Sequence, residues 1–124
     1  MSDLSSLSYL IVDDVNSVRA FLRQTLLHME ASEIYEASNG AEAIESFKKN
    51  LPDVVFLDIE LPDADGQELL KEIRSIKNNA FVVMVSAHSN VDNVKYSLSH
   101  GAAGFIVKPF SPKKINTILK KYQA

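Results

Sequence analysis

The nine residues Val54–Pro62, Val-Val-Phe-Leu-Asp-Ile-Glu-Leu-Pro, constrain the fold more than any other stretch of this chain. Val54 to Leu57 is an unbroken apolar run, too short for a helix and suited to a strand buried on both faces. The run stops at a carboxylate, Asp58, and Pro62 forbids further ladder bonding. Strands buried on both faces belong to parallel sheets covered by helices, and such sheets place ligand chemistry beyond their carboxyl ends. Asp58 stands at such an end. An isolated aspartate there would be only a turn former, so its meaning depends on what the other strands end in.

The rest of the chain repeats the same unit. Tyr9–Val12 is a strand ending at Asp13–Asp14, and Asn16 or Ser17 caps a helix to about His28 with Val18, Phe21, Leu22 and Leu26 on its apolar face. Glu33–Ala37 is a weaker strand placed at an edge. Asn39 then caps a helix to about Lys49, with Ala43, Ile44 and Phe47 inward. After Asp58, Pro62 and Gly66 punctuate a loop, and a helix from about Gly66 to Ser75 carries Leu69, Leu70 and Ile73. Phe81–Val85 is a strand ending at Ser86. A helix follows from about Asn90 to Ser99, closed by Gly101. Phe105–Val107 ends at Lys108–Pro109, and Ser111–Pro112 opens a last helix bearing Ile115, Ile118, Leu119 and Tyr122. Five β-α units in succession predict a single α/β domain with a parallel sheet between helical layers.

Composition agrees and excludes several classes. The chain has 124 residues, 46% of them hydrophobic, which suits one domain with a real core. A net charge of −3 leaves no basic field for nucleic acid. The absence of cysteine removes disulfides, thiolate zinc sites and a cysteine nucleophile. Met1 to Ser8 has neither the basic nor the apolar part of a signal peptide, and no run approaches a membrane span. The expectation is a soluble cytoplasmic protein that binds neither nucleic acid nor membrane.

Asp13–Asp14, Asp58, Ser86 and Lys108 all lie just past apolar strands, and a parallel sheet gathers such ends at one edge. Three carboxylates there repel one another and favour a hard divalent cation with oxygen ligands, for which magnesium is suited. A hydroxyl and an ammonium beside a metal-bound carboxylate are what a phosphoryl group needs around its oxygens. Neighbouring strands are about 4.8 Å apart, and if the strand order puts Ser86 one strand from Asp58 and Lys108 two strands away, their side-chain lengths match those gaps.

With Asp13–Asp14, Asp58 followed by Pro62 and Gly66, Ser86–Ala87 and Lys108–Pro109–Phe110, the chain resembles the receiver domain of two-component response regulators, of the single-domain chemotaxis-regulator type. The resemblance runs from about Tyr9 to Tyr122. It implies a flavodoxin-like (βα)5 three-layer sandwich with strand order 2-1-3-4-5. It also implies that Asp58 is the phosphoacceptor, taking a phosphoryl group from a histidine kinase or phosphotransfer protein. Asp14, Asp58 and the backbone carbonyl of Glu60 would bind Mg2+ directly, and Asp13 mostly through water. Lys108 and Ser86 would take the phosphoryl oxygens, Phe105 would be the aromatic switch, and the peptide before Pro109 would be cis. The chain would be no enzyme beyond self-catalysed phosphotransfer and autodephosphorylation. Its domain would span 1–124 without an output domain, as a monomer or weak dimer signalling through protein contacts on its last two helices and the Phe105 face.

Several positions depart from the pattern or vary within it. Phe105 lacks a hydroxyl, so a switch there rests on ring packing, and Ser86 replaces the commoner threonine. Glu60 and His88 are expected to tune phosphoryl lifetime, pairing when His88 is protonated. Tyr96 is either a partner anchor or a side chain lying over its neighbours. Lys113 and Lys120 are read as a solvated face, and His28 and His100 as surface residues. Asp58-Ile59-Glu60 also resembles the nucleophile and acid pair of haloacid-dehalogenase-type phosphatases, which leaves Asp13–Asp14 unused. A receiver-like scaffold that never carries phosphate has no need of Lys108 or of both acids. A nucleotide-binding Rossmann domain lacks its Gly-rich turn here.

Overall fold

A computed structural model describes residues 4–87 and 91–122. After a single 3-10 turn (Leu4–Ser6), the chain runs through β1 (Ser8–Val12), α1 (Asn16–His28), β2 (Glu33–Ala37), α2 (Gly40–Asn50) and β3 (Val54–Asp58). It continues through α3 (Gly66–Ile76), β4 (Phe81–Ser86), α4 (Val91–Ser99), β5 (Gly104–Val107) and α5 (Pro112–Leu119). The strands form one five-stranded parallel sheet in the order β2-β1-β3-β4-β5, the flavodoxin-like order that the resemblance implies.

Strand alternation divides the core in two. Leu10, Val12, Val55, Leu57, Val82 and Met84 face one way and meet Ala43 and Phe47 of α2 and Leu69, Leu70 and Ile73 of α3. Tyr9, Ile11, Val54, Phe56, Val83 and Val85 face the other way, against Leu22 and Leu26 of α1 and Ile115, Ile118 and Leu119 of α5. Both faces of β3 are covered, which is why its sequence is apolar throughout and not alternating. β2 is an edge strand with only Ala37 buried.

Helix ends follow local chemistry, with one correction. Asn39, Asp65 and Ser111 cap α2, α3 and α5 by accepting from the backbone N–H of Glu42, Gln67 and Lys114. At α1 the N-cap is Val15, not Asn16 or Ser17. Asp13 Oδ1 accepts from the Val15 N–H at 2.9 Å and organises that turn in place of a side-chain cap. Asn16 Oδ1 is engaged instead by the Arg19 guanidinium. Gly101 has φ +97° past the end of α4, the left-handed conformation that favours glycine there.

Two apolar stripes turn partly outward. On α1, Phe21 is 40% exposed and lies edge-on to Phe110, with ring centroids 5.6 Å apart. On α4, Val91 and Leu98 face solvent, and the side chain buried against the sheet is Ser97. Tyr96 stacks on His100 at 4.0 Å, with Lys71 Nζ 5.8 Å from its ring, so it lies over its neighbours. Asn90, the expected start of this helix, lies outside the described residues.

Gly66 begins α3 where the chain folds back on the end of β3, its N–H donating to the Ile59 carbonyl at 2.7 Å. A Cβ here would collide with the Asp58 carbonyl oxygen and lie 2.6 Å from Ile59 Cα, both backbone atoms that cannot step aside. Gly66→Ala should therefore lower stability by roughly 1–3 kcal/mol, read as a fall in the urea midpoint at unchanged m-value.

Candidate functional site

The carboxyl ends of β1, β3, β4 and β5 meet at one edge of the sheet, and the expected residues meet with them. Asp13, Asp14 and Asp58 each bring a carboxylate oxygen to a common point, these atoms all lying within 4.8 Å of one another. Asp13 and Asp58 are buried, whereas Asp14 is exposed. In the parallel register Asp58 lies beside Val85, so the next residue of β4, Ser86, stands one step beyond it and is itself buried. Lys108 follows β5, two strands from β3, and its backbone N–H donates to the Ser86 carbonyl at 2.8 Å. The Lys108–Pro109 peptide is cis, as the resemblance implies.

Lys108 crosses the site. Its ammonium lies 2.8 Å from Asp13 Oδ2 and 3.4 Å from Asp58 Oδ2, bridging two carboxylates that water scarcely reaches. Asp58 Oδ1 also accepts from the Glu60 N–H at 3.2 Å. Burial and the neighbouring Asp13 charge nevertheless push the Asp58 carboxyl up to about 6, against the pull of Lys108 and the Glu60 N–H. Burial pulls the Lys108 ammonium down, but its hydrogen bond to Asp13 and the Asp58 charge outweigh that, and its pKa ends above the usual lysine value. One ammonium does not fully satisfy this group of acids.

The donor set fits a hard divalent cation. All three side chains offer oxygen, two are buried and one is open to solvent, so a bound ion could keep waters on the Asp14 side. The raised Asp58 pKa marks a carboxylate with room for more positive charge beside it.

Other expected residues fall at varying distances from this centre. Glu60 is exposed, and its backbone pairs with Asp65 in an isolated antiparallel bridge just past Asp58. His88 lies outside the described residues. Phe105 pairs with Met84 in register and packs, half-buried, against the α2–α3 side of the core. It also lines a groove of about 530 Å³ with Lys113, Lys114, Thr117 and Lys121. Lys113 and Lys120 are exposed, as are His28 and His100. The nucleophile-and-acid reading of Asp58 and Glu60 leaves Asp13, buried and bound to Lys108, without a part.

Sequence reasoning missed Arg19 and Asp63. Arg19 donates to the Asp13 carbonyl at 2.5 Å and pairs with Glu36 at 3.1 Å, fastening the acidic loop to the end of β2. Its position one turn into α1 after the acid pair was a usable signal. Asp63 accepts from the first two N–H groups of α2, a contact across some twenty residues of chain that no local pattern marks.

The response regulator receiver domain family matches residues 9–120. The chain is 38% identical over 112 residues to the chemotaxis protein CheY of Bacillus subtilis, covering 90% of this chain and 93% of that one. It is 34% identical over 113 residues to sporulation initiation phosphotransferase F of the same organism, covering 91% and 90%. Among solved structures, the CheX–CheY–BeF3–Mg2+ complex from Borrelia burgdorferi contains a chain similar to this one. The TM-score is 0.88 at 35% identity, over 91% of this chain and 86% of that one. With the fold, the acid cluster and its lysine in place, the chain belongs to the response regulator receiver domain family, the phosphorylation-dependent signalling switches of two-component systems.

Proposed function

We propose that Asp58 is the phosphoacceptor of this receiver and that Mg2+ binds beside it on Asp14, Asp58 and the Glu60 carbonyl, with Asp13 acting through water. The observation that carries this reading is a buried carboxylate at a strand end, raised to about 6, facing a second buried acid and one bridging ammonium. Bound Mg2+ would supply positive charge to the transferring oxygens and to the attacking carboxylate. An Asp58 oxygen attacks phosphorus of a phosphohistidine on a kinase or phosphotransfer protein. The O–P bond forms as the N–P bond breaks, and the bonding pair leaves with the imidazole nitrogen. Lys108 lets go of Asp58 and takes a phosphoryl oxygen, an exchange for which its reach across the site is suited. Ser86, at the neighbouring strand end, donates its hydroxyl to another.

The modification places new charge between β3 and β5, and Ser86 and Phe105 lie on the strands that respond to it. Without a hydroxyl, Phe105 signals by ring packing beside the groove it shares with Lys113 and Lys114. The whole chain acts as one receiver in the cytoplasm, with a core of about 9–122, and a target protein reads α4, β5 and α5. Glu60, just past Asp58, and His88 set the phosphoryl lifetime. Later hydrolysis of the acyl phosphate is catalysed by this same site, with no separate substrate to turn over.

Incubation with Mg2+ and a small acyl phosphate should add one phosphoryl group to the intact mass, and Asp58→Asn should add none. A wild-type chain that binds Mg2+ yet is modified neither by acyl phosphate nor by phosphohistidine donors would sink the reading. Lys108→Ala should slow phosphorylation by about a hundredfold, as loss of one charged donor to the transferring group does, measured by quenched time points at saturating Mg2+.

The pH dependence of stability follows from the raised Asp58 pKa. The folded chain holds a proton between the ordinary value of 3.8 and about 6 that the unfolded chain has already released. Ionising Asp58 in the fold therefore erodes stability as pH rises through that window, and the loss is complete above it. In a metal chelator, Asp58→Asn should be more stable than wild type at pH 7.5 by roughly 1–3 kcal/mol. That advantage should vanish below about pH 4 and shrink when Mg2+ is added. Urea unfolding at several pH values measures it.

A further inference from the structure

We infer that Asp63 is a positioning residue for the metal and phosphoryl chemistry, holding the loop that carries Glu60 against the N-terminus of α2. The inference rests on the reading above, in which the Glu60 carbonyl is a metal ligand.

The loop between β3 and α3 leaves and returns at nearly the same place. At its base, the Ile59 N–H donates to the Val85 carbonyl at 3.1 Å, the Gly66 N–H donates to the Ile59 carbonyl at 2.7 Å, and Glu60 bridges to Asp65. Between these anchors the segment Leu61–Ala64 leaves the sheet. Leu61 and Ala64 rest partly buried on the α2–α3 core, a contact that sets depth but not direction. Direction comes from Asp63. Its Oδ1 accepts from the Gly40 N–H at 2.7 Å and its Oδ2 from the Ala41 N–H at 3.1 Å, so both oxygens are spent on adjacent donors of one helix. Two such bonds from a charged acceptor fix an angle as well as a distance. The same donors hold the Asp63 carboxyl below the usual carboxylate range, so it stays charged.

The helix end that Asp63 grips is itself built for close approach and tied to the other metal-bearing loop. Gly40 is buried, and a Cβ there would lie 2.8 Å from Ala64 Cβ, so the loop and the helix meet without room for a side chain. Just upstream, the Asp13 N–H donates to the Ala37 carbonyl at 3.1 Å, and Asn39 caps α2 by accepting from the Glu42 N–H at 2.8 Å. A continuous path thus runs from Asp13 through the end of β2 and the first turn of α2 to Asp63, and so to Glu60. It joins the two loops that surround the acid cluster by way of a helix that carries no site residue. A ligand carbonyl oriented by this path has its metal affinity set partly by Asp63. By linkage, metal binding must in turn steady the first turn of α2.

The test compares wild type, Asp63→Ala and Asp63→Asn by Mg2+ calorimetry, with amide hydrogen exchange at Glu42 and Ala43 read with and without Mg2+. Asp63→Ala should raise the Mg2+ dissociation constant by about tenfold, as loss of a partner that orients a metal ligand does. Asp63→Asn keeps one acceptor oxygen for the Gly40 N–H and should fall between. In wild type Mg2+ should slow exchange at Glu42 and Ala43, and in Asp63→Ala that Mg2+-dependent increment should disappear. A purely structural role lowers protection with and without metal alike and leaves the increment intact, which would overturn the inference. So would an Mg2+ affinity within about twofold of wild type in Asp63→Ala, against the larger loss expected of an orienting partner. If Asp63→Ala does not fold, the same two readouts on Asp63→Asn decide. Asp14→Asn separates the two levels. Wild-type Mg2+ binding that survives this substitution undermines the assignment of the metal site, whereas loss of binding with Asp63 variants unaffected removes only the role of Asp63.

Discussion

The Lys108 ammonium, 2.8 Å from Asp13 and 3.4 Å from Asp58, is the interaction on which this end of the molecule depends. Two carboxylates removed from water at the edge of a sheet cannot both keep their charge cheaply without a cation nearby. Lys108 is that cation beside them, and from the end of β5 it reaches Asp58 two strands away and Asp13 three strands away. The bond therefore couples the end of β1, the end of β3 and the start of the loop after β5. It is also incomplete, since the Asp58 carboxyl still lies well above its ordinary value. A site left short of positive charge favours a divalent cation beside it.

The surroundings make this arrangement stiff where chemistry needs it. Both faces of β3 are sealed by helices, so Asp58 has little freedom except at its carboxylate. Gly66 lets the returning chain touch the end of β3, and Arg19 ties the Asp13 carbonyl to Glu36. In contrast, α4 buries a serine and exposes Val91 and Leu98, whereas α3 and α5 bury leucines and isoleucines. The fold thus sets a closely packed acid site next to a helix that buries little apolar side chain.

Much of this was legible in the amino-acid order, for a physical reason. β1, β3, β4 and β5 are short and apolar on both faces, each helix shows its stripe, and the chemistry lies at strand ends where a parallel sheet must collect it. Asp13, Asp14, Asp58, Ser86 and Lys108 could therefore be picked out together. Where reading failed, a tertiary contact had replaced the local rule. Asn16 has the right residue type for a cap, but Asp13 closes the turn and Arg19 engages the Asn16 side chain. Phe21 follows the helical period, yet the Phe110 ring edge-on to it leaves it 40% exposed.

What the sequence by itself determined is the set of elements and the identity of the residues at their ends, because periodicity and strand termination are properties of neighbours along the chain. What only the tertiary structure decided is which of those ends share a charge, a helix terminus or a hydrogen bond. Lys108 chooses Asp13 over Asp58 as its nearer partner, and Asp63 finds α2 across the sheet edge. Neither pairing has a local signature, since each depends on how far one loop reaches toward another once the hydrophobic layers have set the distances between them.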